Sequence, residues 1–222
     1  MNEKKIITLL NKFQKTGKRT TNRYVGFQHK DGYITGTNGC LLGRCKSTYP
    51  VQFEGQVLGR TGENKGTSYP DVLEVLKPAR ENVCGTMDID YGRMKQILDF
   101  FDLYKKSYGY AYITIHNGST ELYFNCEYLQ AYIRMAKYYG IKKISFTKVD
   151  TLPVLYSKSK DGSEFMLTSG PQYVSHVIGS YENGISREVM DEVRDSFAEE
   201  RDRLQDEMGA GLKDNRDDIA RM

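Results

Sequence analysis

The sequence predicts an α+β fold in which short amphipathic helices are each followed by strands of an antiparallel meander. Segments with a helical period of apolar residues alternate with strand-like segments, and tight-turn dipeptides separate the strands. The strand-helix-strand alternation that is typical of a parallel sheet is absent from the sequence pattern. A dense run of charged, helix-forming residues from about Ser186 predicts a further, charged helix at the C-terminal end.

Three segments have the apolar spacing of an amphipathic helix. The first places apolar side chains at positions i, i+3, i+4 and i+7, and these are Ile6, Leu9, Leu10 and Phe13. The second segment starts after Asp90 and the third after Asn125. Both residues are of the types that cap helix N-termini, because their side-chain oxygens accept hydrogen bonds from the first free backbone N–H groups.

Turn dipeptides divide the strand-like segments into hairpins, because their residues tolerate the positive backbone angles of a tight turn. The dipeptides are Asp31-Gly32, Asn38-Gly39, Asn117-Gly118 and Asp161-Gly162. The segment 51–68 is rich in glycine and polar residues, which predicts a strand and an exposed loop. A repeated unit of one helix and a short meander therefore fills most of residues 1–170.

The charge is distributed unevenly along the 222 residues, whose net charge is +3. Residues 171–222 carry 7 Lys and Arg against 13 Asp and Glu, a net charge of −6. Residues 1–170 carry 25 against 16, a net charge of +9. A basic body indicates a polyanionic partner such as nucleic acid, with an ordinary solvated surface as the alternative.

The composition argues against a membrane or secreted protein. No apolar run approaches the roughly 18 residues of a membrane span, and the first residues, MNEKK, lack the apolar region of a signal peptide. The four cysteines form no CxxC pair, which favours reduced thiols over a disulfide framework or a zinc site; they are Cys40, Cys45, Cys84 and Cys126. We therefore expect a cytoplasmic protein.

The sequence contains no convincing catalytic set, so we expect a protein that is not an enzyme and needs no cofactor or metal. Its three histidines, His29, His116 and His176, are isolated in the sequence. Asp88 and Asp90 form a DxD pair of the kind that binds Mg²⁺, but Asp90 is also the predicted helix cap. A nucleic-acid enzyme that works through these two carboxylates is the least favoured alternative.

Basic residues lie off the apolar faces of the predicted helices. If the helices lie side by side on the strands, these side chains share one surface and can contact phosphates without reading bases. The candidate DNA-binding residues are Lys4, Lys5, Lys12, Lys15, Lys18, Arg19, Arg93, Lys95, Arg134 and Lys137.

Three stretches resemble parts of the bacterial DNA sliding clamp family, the β subunit of DNA polymerase III. Residues 124–169 resemble the end of the clamp, where an Asn-capped helix is followed by strands. The segment YPDVLEVLKP, 69–78, resembles the Phe-Pro-Asp segment that opens the final clamp domain. The segment GTNGCLLGR, 36–44, resembles the clamp's Ala-Thr-Asp-Gly-His-Arg-Leu strand and turn.

The resemblance implies an apolar pocket into which a polymerase or another partner inserts a short peptide. Carried over by position, the pocket residues are Thr37, Gly39, Cys40, Leu41, Leu42, Pro70, Val75, Leu167 and Ser169. The chain departs from the family where Cys40-Leu41 replaces a His-Arg pair and Leu167-Thr168-Ser169 replaces Met-Pro-Met. It also continues for about fifty residues beyond the point where the clamp stops.

The resemblance implies clamp-like units, with a partial first domain at 1–68 and a second at 69–170. The charge and the helix-forming residues predict that 171–222 is an acidic helical tail. The implied function is a sliding clamp or processivity factor, phage-encoded or bacterial, that encircles or tracks duplex DNA and tethers a polymerase. A clamp loader and self-association into a homo-oligomer would accompany that function. The alternative keeps the fold but not the DNA, as a clamp-derived interaction or structural protein.

Overall fold

Helices and mostly antiparallel strands alternate in the computed structural model, which describes residues 3–13, 26–59, 61–66, 68–171 and 174–219. The helices are α1 (Glu3–Leu10), α2 (Val72–Glu81), α3 (Tyr91–Tyr108), α4 (Cys126–Tyr138) and α5 (Arg187–Ile219). The strands are β1 (Phe27–Lys30), β2 (Tyr33–Thr37), β3 (Leu41–Lys46), β4 (Val57–Leu58), β5 (Gly85–Asp88), β6 (Tyr112–Asn117), β7 (Thr120–Asn125), β8 (Lys143–Val149), β9 (Leu152–Lys158), β10 (Glu164–Thr168), β11 (Val177–Ser180) and β12 (Gly184–Ile185). The predicted α+β class is confirmed at this level. Within the described ranges, none of the helices combines the length and the apolar character needed to cross a membrane.

Two of the predicted helices begin at the predicted caps. The Asp90 side chain accepts hydrogen bonds from the backbone N–H groups of Gly92 and Arg93, at 2.8 and 3.0 Å. Asn125 caps α4 in the same way. These bonds satisfy donors that have no partner inside the helix, which explains why the helices start there.

The helix α2 is an element that the sequence reading missed. Asp71 caps it by accepting from the N–H groups of Leu73 and Glu74, at 3.0 and 3.3 Å. Its buried side chains are Val72, Leu76 and Ala79, at positions i, i+4 and i+7. Pro78 lies inside the helix but close to its C-terminal end, so only the last turns lose a backbone hydrogen bond.

An eight-stranded sheet, in the order β4-β1-β2-β3-β10-β9-β8-β5, includes strands from both predicted domains, 1–68 and 69–170. The junction is the antiparallel pair β3–β10, in which Leu42 lies opposite Met166 and Leu41 lies opposite Leu167. Residues from 41–46 and 164–168 are therefore neighbours although about 120 positions separate them in sequence. The sheet runs without interruption from the first unit into the second.

One face of this sheet is covered by α1 and α4, which share the main core with it. Ile6, Leu10 and Phe13, from α1 and the 3₁₀ turn that follows it, are fully buried against β2 and β3. A Cβ atom on Gly43 would lie 2.7 Å from Leu10 Cδ2 and 3.0 Å from Phe13 Cε1. The close approach of α1 to β3 therefore requires glycine at this position.

The opposite face of the sheet is covered by α2, which forms a second, smaller core. Its members are Leu42, Val72, Leu76, Ala79, Val154, Tyr156 and Met166. Because side chains alternate along a strand, Leu41 and Leu167 point into the main core while Leu42 and Met166 point toward α2. The sheet thus lies between α1 and α4 on one face and α2 on the other.

A four-stranded sheet, in the order β12-β11-β6-β7, contains part of the predicted tail. β11 pairs in parallel with β6, and Ile178 of β11 is fully buried. The helix α5 follows, and its Val193 is only 4% exposed and belongs to the main core. Residues 177–197 therefore complete the fold, and the predicted charged C-terminal helix begins at Arg187.

Candidate functional site

The Thr37-Asn38-Gly39 turn between β2 and β3 is held by its own side chains. Asn38 Oδ1 accepts hydrogen bonds from the N–H groups of Cys40 and Leu41, at 2.9 and 2.8 Å. Gly39 has a φ of +91° and donates to the Thr37 hydroxyl at 3.1 Å. The turn therefore has a fixed shape, and it leaves the Cys40 side chain exposed beside the start of β3.

The turn and the N-terminal part of α2 enclose a small apolar cleft of about 100 Å³. The lining residues are Thr37, Gly39, Cys40, Leu41, Leu42, Pro70, Val75 and Met166. The structure brings seven of the nine predicted pocket residues together here, from two separated parts of the sequence, 37–42 and 70–75. We name this feature the turn cleft.

Leu167 and Ser169, which were also assigned to the pocket, do not line the turn cleft. Leu167 is fully buried on the other face of the sheet, in the main core. The backbone N–H of Ser169 donates to the Pro153 carbonyl at 2.9 Å, beyond the end of β10. A shift of one residue along a strand reverses the side that a side chain faces, and Met166 consequently occupies the place expected for Leu167.

The turn cleft fits a single apolar side chain better than a cofactor. Its volume is well below the roughly 300 Å³ at which small-molecule sites begin. Leu42 and Met166, 3% and 5% exposed, form its floor, while Cys40 and the partly buried Val75 lie at its edge. An anchor residue of a peptide would contact apolar side chains there and leave its backbone at the surface.

An ion pair between the exposed Arg80 and the buried carboxylate of Glu164 fixes α2, and with it one wall of the turn cleft. The carboxylate of Glu164, 1% exposed, accepts hydrogen bonds from Arg80 Nε and Nη2 at 2.7 and 2.6 Å and from the Tyr156 hydroxyl at 2.6 Å. Arg44 lies 3.5 Å away. Burial alone would raise the pKa of Glu164, but the hydrogen bonds from Arg80 and Tyr156 outweigh it and leave that pKa below its ordinary value.

The helix side of the molecule has a groove of about 470 Å³ between the end of α1, α3 and α4. Lys12 and Arg134, both predicted to bind DNA, line this helix groove together with Lys105. Two carboxylates also line it. Lys105 pairs with Glu127 at 3.3 Å, and Gln130 donates to Asp102 at 3.1 Å. The helix groove therefore has mixed charge, with cations in the majority.

The other predicted DNA-binding residues lie around the helices, outside the helix groove. Lys4 and Lys5 are exposed on α1, and Lys5 Nζ lies 4.6 Å from the centre of the Tyr138 ring. Near the start of α3, Arg93 donates to the Glu182 carbonyl at 3.0 Å and Lys95 forms an ion pair with Asp99.

Lys137 on α4 lies 5.9 Å from the centre of the Tyr91 ring. Lys15, Lys18 and Arg19 lie outside the described residues.

The DxD pair has a structural explanation for one of its members. Asp90 caps α3, and Asp88 is exposed, with its carboxylate 4.0 Å from Lys143 Nζ. Among the residues that the structure describes, no three carboxylate, thiol or imidazole side chains converge as metal ligands would. His29, which lies beside the turn dipeptide Asp31-Gly32, is buried, and its ring packs edge-on against Tyr49.

Comparison of the sequence with models of protein families and with curated protein sequences finds no match. Function must therefore be inferred from the turn cleft, the helix groove and the resemblance of the sequence to the sliding clamp family.

Proposed function

We propose that this chain is a DNA sliding clamp or a clamp-like processivity factor, which tracks duplex DNA and tethers a polymerase through the turn cleft. One observation carries the proposal. The sheet that crosses both units has α1 and α4, with basic side chains, on one face, and α2 with the turn cleft on the other. A protein that holds DNA on one side and a partner on the other needs this division of surfaces.

Edge strands support the self-association that encirclement would require, although two of them are partly covered: the Lys65 N–H donates to the Val57 carbonyl of β4 at 2.9 Å, and the Gly170 N–H donates to the Tyr123 carbonyl of β7 at 2.6 Å. Among the described strands, β4 and β5 end the large sheet, and β7 and β12 end the small one. An edge strand has unpaired backbone donors and acceptors and pairs readily with a strand of another chain. Under this proposal a loader ATPase from the same cell opens a closed ring, because the chain lacks a nucleotide-binding motif in its sequence.

The first prediction concerns duplex DNA. We expect binding without sequence preference and with an affinity that falls as salt rises, because lysine and arginine release counterions from phosphates. Lys12→Glu combined with Arg134→Glu should reduce the slope of log K against log salt by about 2. Fluorescence anisotropy with a labelled duplex, titrated at several salt concentrations, measures both effects.

A matched pair in the same groove provides the control. Asp102→Asn combined with Glu127→Gln removes the two carboxylates and should raise the affinity for DNA, because the remaining side chains of the helix groove become more positive. Equal affinities for the wild type and both pairs would show that DNA does not contact the helix groove.

The second prediction concerns the turn cleft. We expect a labelled peptide with a Leu-Phe pair to bind there, since burial of one such side chain contributes roughly 1.5–3 kcal/mol. Cys40→Arg places a long charged side chain at the exposed edge of the cleft and should weaken peptide binding about tenfold or more. Val75→Glu should act in the same direction from the α2 wall. Peptide affinity is measured by anisotropy, with DNA binding as the second readout.

Leu73→Glu is the matched control for these variants, since Leu73 lies on the same helix, is 41% exposed and does not line the turn cleft. Its peptide affinity should equal that of the wild type. Leu42 is unsuitable for such a test because it is buried beneath α2, and a carboxylate there would damage the second core. Unchanged peptide affinity in Cys40→Arg and Val75→Glu would remove the turn cleft from the proposal.

A clamp-derived interaction protein that does not encircle DNA is the second candidate. The observation in its favour is the position of α5, an acidic helix that packs against α3 through Val193 and through the Ser196 and Ser107 hydroxyls, 3.2 Å apart. An acidic helix next to the basic surface of α1, α3 and α4 reduces the attraction of that surface for phosphates. Absence of salt-dependent DNA binding, with peptide binding retained, would favour this candidate.

A further inference from the structure

A second, more basic concavity lies at the C-terminal end of α4, away from the helix groove. It is formed by the loop between α4 and β8 and by the hairpin between β9 and β10, and its volume is about 680 Å³. Four lysines line it, together with neighbouring backbone and two tyrosines: Lys142, Lys143, Lys158, Lys160, Tyr138 and Tyr139. All four lysine side chains are exposed. We name this surface the lysine cleft.

The lysine cleft has little negative charge to oppose its lysines. Its one lining carboxylate, Asp161, accepts hydrogen bonds from the Ser163 N–H at 2.9 Å and from the Ser159 hydroxyl. Partial burial raises the pKa of Asp161, but these hydrogen bonds lower it below its ordinary value, so the group is ionised at neutral pH. Asp161 thus stabilises the hairpin turn, and the other nearby carboxylate, Asp88, lies 4.0 Å from Lys143, which leaves Lys142, Lys158 and Lys160 as the more available cations.

The lysine cleft continues onto the helix side of the molecule. Tyr138, which lines it, has Lys5 of α1 over its ring at 4.6 Å. Ile141, also in the lining, accepts a hydrogen bond from the Tyr91 hydroxyl, and Lys137 lies over that tyrosine ring at 5.9 Å. Two of the predicted DNA-binding lysines therefore lie close to the cleft, Lys5 through Tyr138 and Lys137 through Tyr91.

We propose that the lysine cleft binds the phosphate backbone of nucleic acid, as a second contact site beyond the helix groove. This inference rests on the proposed function, which supplies the DNA. The lysine cleft should bind a long polyanion better than a small anion, because each of its lysines is a separate point charge beside a wide opening. Separate, flexible ammonium groups suit repeated, sequence-independent contacts with phosphates.

Nucleic acid fits the lysine cleft better than an acidic peptide does. Tyr138, which is only partly buried, gives it aromatic surface beside the cations, whereas the Tyr139 ring packs on Phe165; pairing of a ring with basic groups is typical of nucleic-acid contacts. The lysines of this site form two short basic pairs in the sequence, although the sequence does not predict that the pairs lie together. Lys142-Lys143 and Lys158-Ser159-Lys160 each flank a tight turn, and the fold brings the two turns together.

The test compares two triple variants of the full chain that change the net charge equally. Lys142→Gln, Lys158→Gln and Lys160→Gln alter the lysine cleft, while Lys30→Gln, Lys77→Gln and Lys148→Gln alter exposed lysines elsewhere. We expect the cleft triple to reduce the slope of log K against log salt by about 3 on a labelled duplex, and the control triple to leave it within about 1. Thermal melting verifies that both triples fold as the wild type does.

Four results would overturn the proposal. Equal reductions in both triples would mean that only net charge matters. An unchanged slope in the cleft triple, with a reduced slope in the Lys12→Glu and Arg134→Glu pair, would remove the cleft and leave DNA binding by the helices intact. Absence of DNA binding by the wild-type chain would remove the proposed function and the cleft together. The fourth result comes from a competition experiment in which polyglutamate is added at the same charge concentration as the duplex. If polyglutamate displaces the duplex from the wild type but not from the cleft triple, the occupant of the cleft is an acidic peptide.

Discussion

Arg80→Ala should lower the free energy of unfolding by about 3 kcal/mol, because it leaves the Glu164 carboxylate buried without its two closest nitrogen donors. For a chain of this length the loss corresponds to a decrease in Tm of roughly 6–12 °C, which differential scanning calorimetry measures. The pair also joins α2 to β10, so the same variant should weaken peptide binding at the turn cleft. The loss of this contact therefore affects both stability and the candidate site.

Two further variants distinguish a broken ion pair from general damage to α2. Lys77→Ala, on the exposed side of the same helix, should change the free energy of unfolding by less than about 0.5 kcal/mol. Arg80→Met combined with Glu164→Leu removes both charges and should recover much of the stability that Arg80→Ala loses. If the double variant is as unstable as Arg80→Ala, the buried carboxylate is not the cause.

The pH dependence of stability provides an independent measure of the same contact. The pKa of Glu164 is lower in the folded chain than its ordinary value of 4.5, so its stabilising contribution is complete above that value. It is lost as the pH falls through the lower, folded pKa, where the carboxylate takes up a proton. The stability difference between the wild type and Arg80→Ala should therefore narrow below about pH 4.

Val193→Asp should also destabilise the chain by about 3 kcal/mol or more, because it puts an unpaired carboxylate into the main core. Met190→Asp is the matched control, since Met190 lies on the same helix and is 45% exposed. Its effect should stay within about 1 kcal/mol. Urea unfolding monitored by circular dichroism compares the two variants. Equal stabilities would mean that the start of α5 is not part of the cooperative fold in solution.

This prediction reverses an expectation from the sequence. The net charge of −6 in residues 171–222 predicted an acidic tail, in which Met190, Val193, Phe197 and Leu204 form an apolar stripe interrupted by charged residues. Two members of that stripe, Val193 and Phe197, pack on the main core, while Met190 and Leu204 are exposed. A narrow seam of two or three apolar residues is enough to attach a helix, but its composition does not distinguish that case from a solvated helix.

The elements that the sequence predicted well are those with local signals. Asp90 and Asn125 are caps whose side chains bond to backbone groups two and three residues away, so their function can be read from neighbouring residues. The turns at Asn38-Gly39 and Asn117-Gly118 depend on local backbone conformation in the same way. The helix α2 was missed because Pro70 and Pro78 resemble breakers, although Asp71 and the spacing of Val72, Leu76 and Ala79 indicate a helix.

The parts that could not be predicted depend on contacts between distant segments. The lining of the turn cleft by Met166 depends on the register of β10 against β3, which no local pattern specifies to one residue. The lysine cleft depends on two turns that meet only after the sheet has formed. The carboxylates that line the helix groove with Lys12 and Arg134 likewise come from different helices, Asp102 from α3 and Glu127 from α4.

The mass of the protein in solution, measured by light scattering at micromolar concentration, tests the central proposal most directly. A clamp must close around DNA, and both sheets of the single chain end in edge strands, among them β5 and β12, with which a strand of another chain can pair. We therefore expect a mass that is a whole-number multiple of the chain's 25.5 kDa and at least twice that value. A mass of one chain, unchanged when duplex DNA is added in excess, would contradict a clamp that encircles DNA.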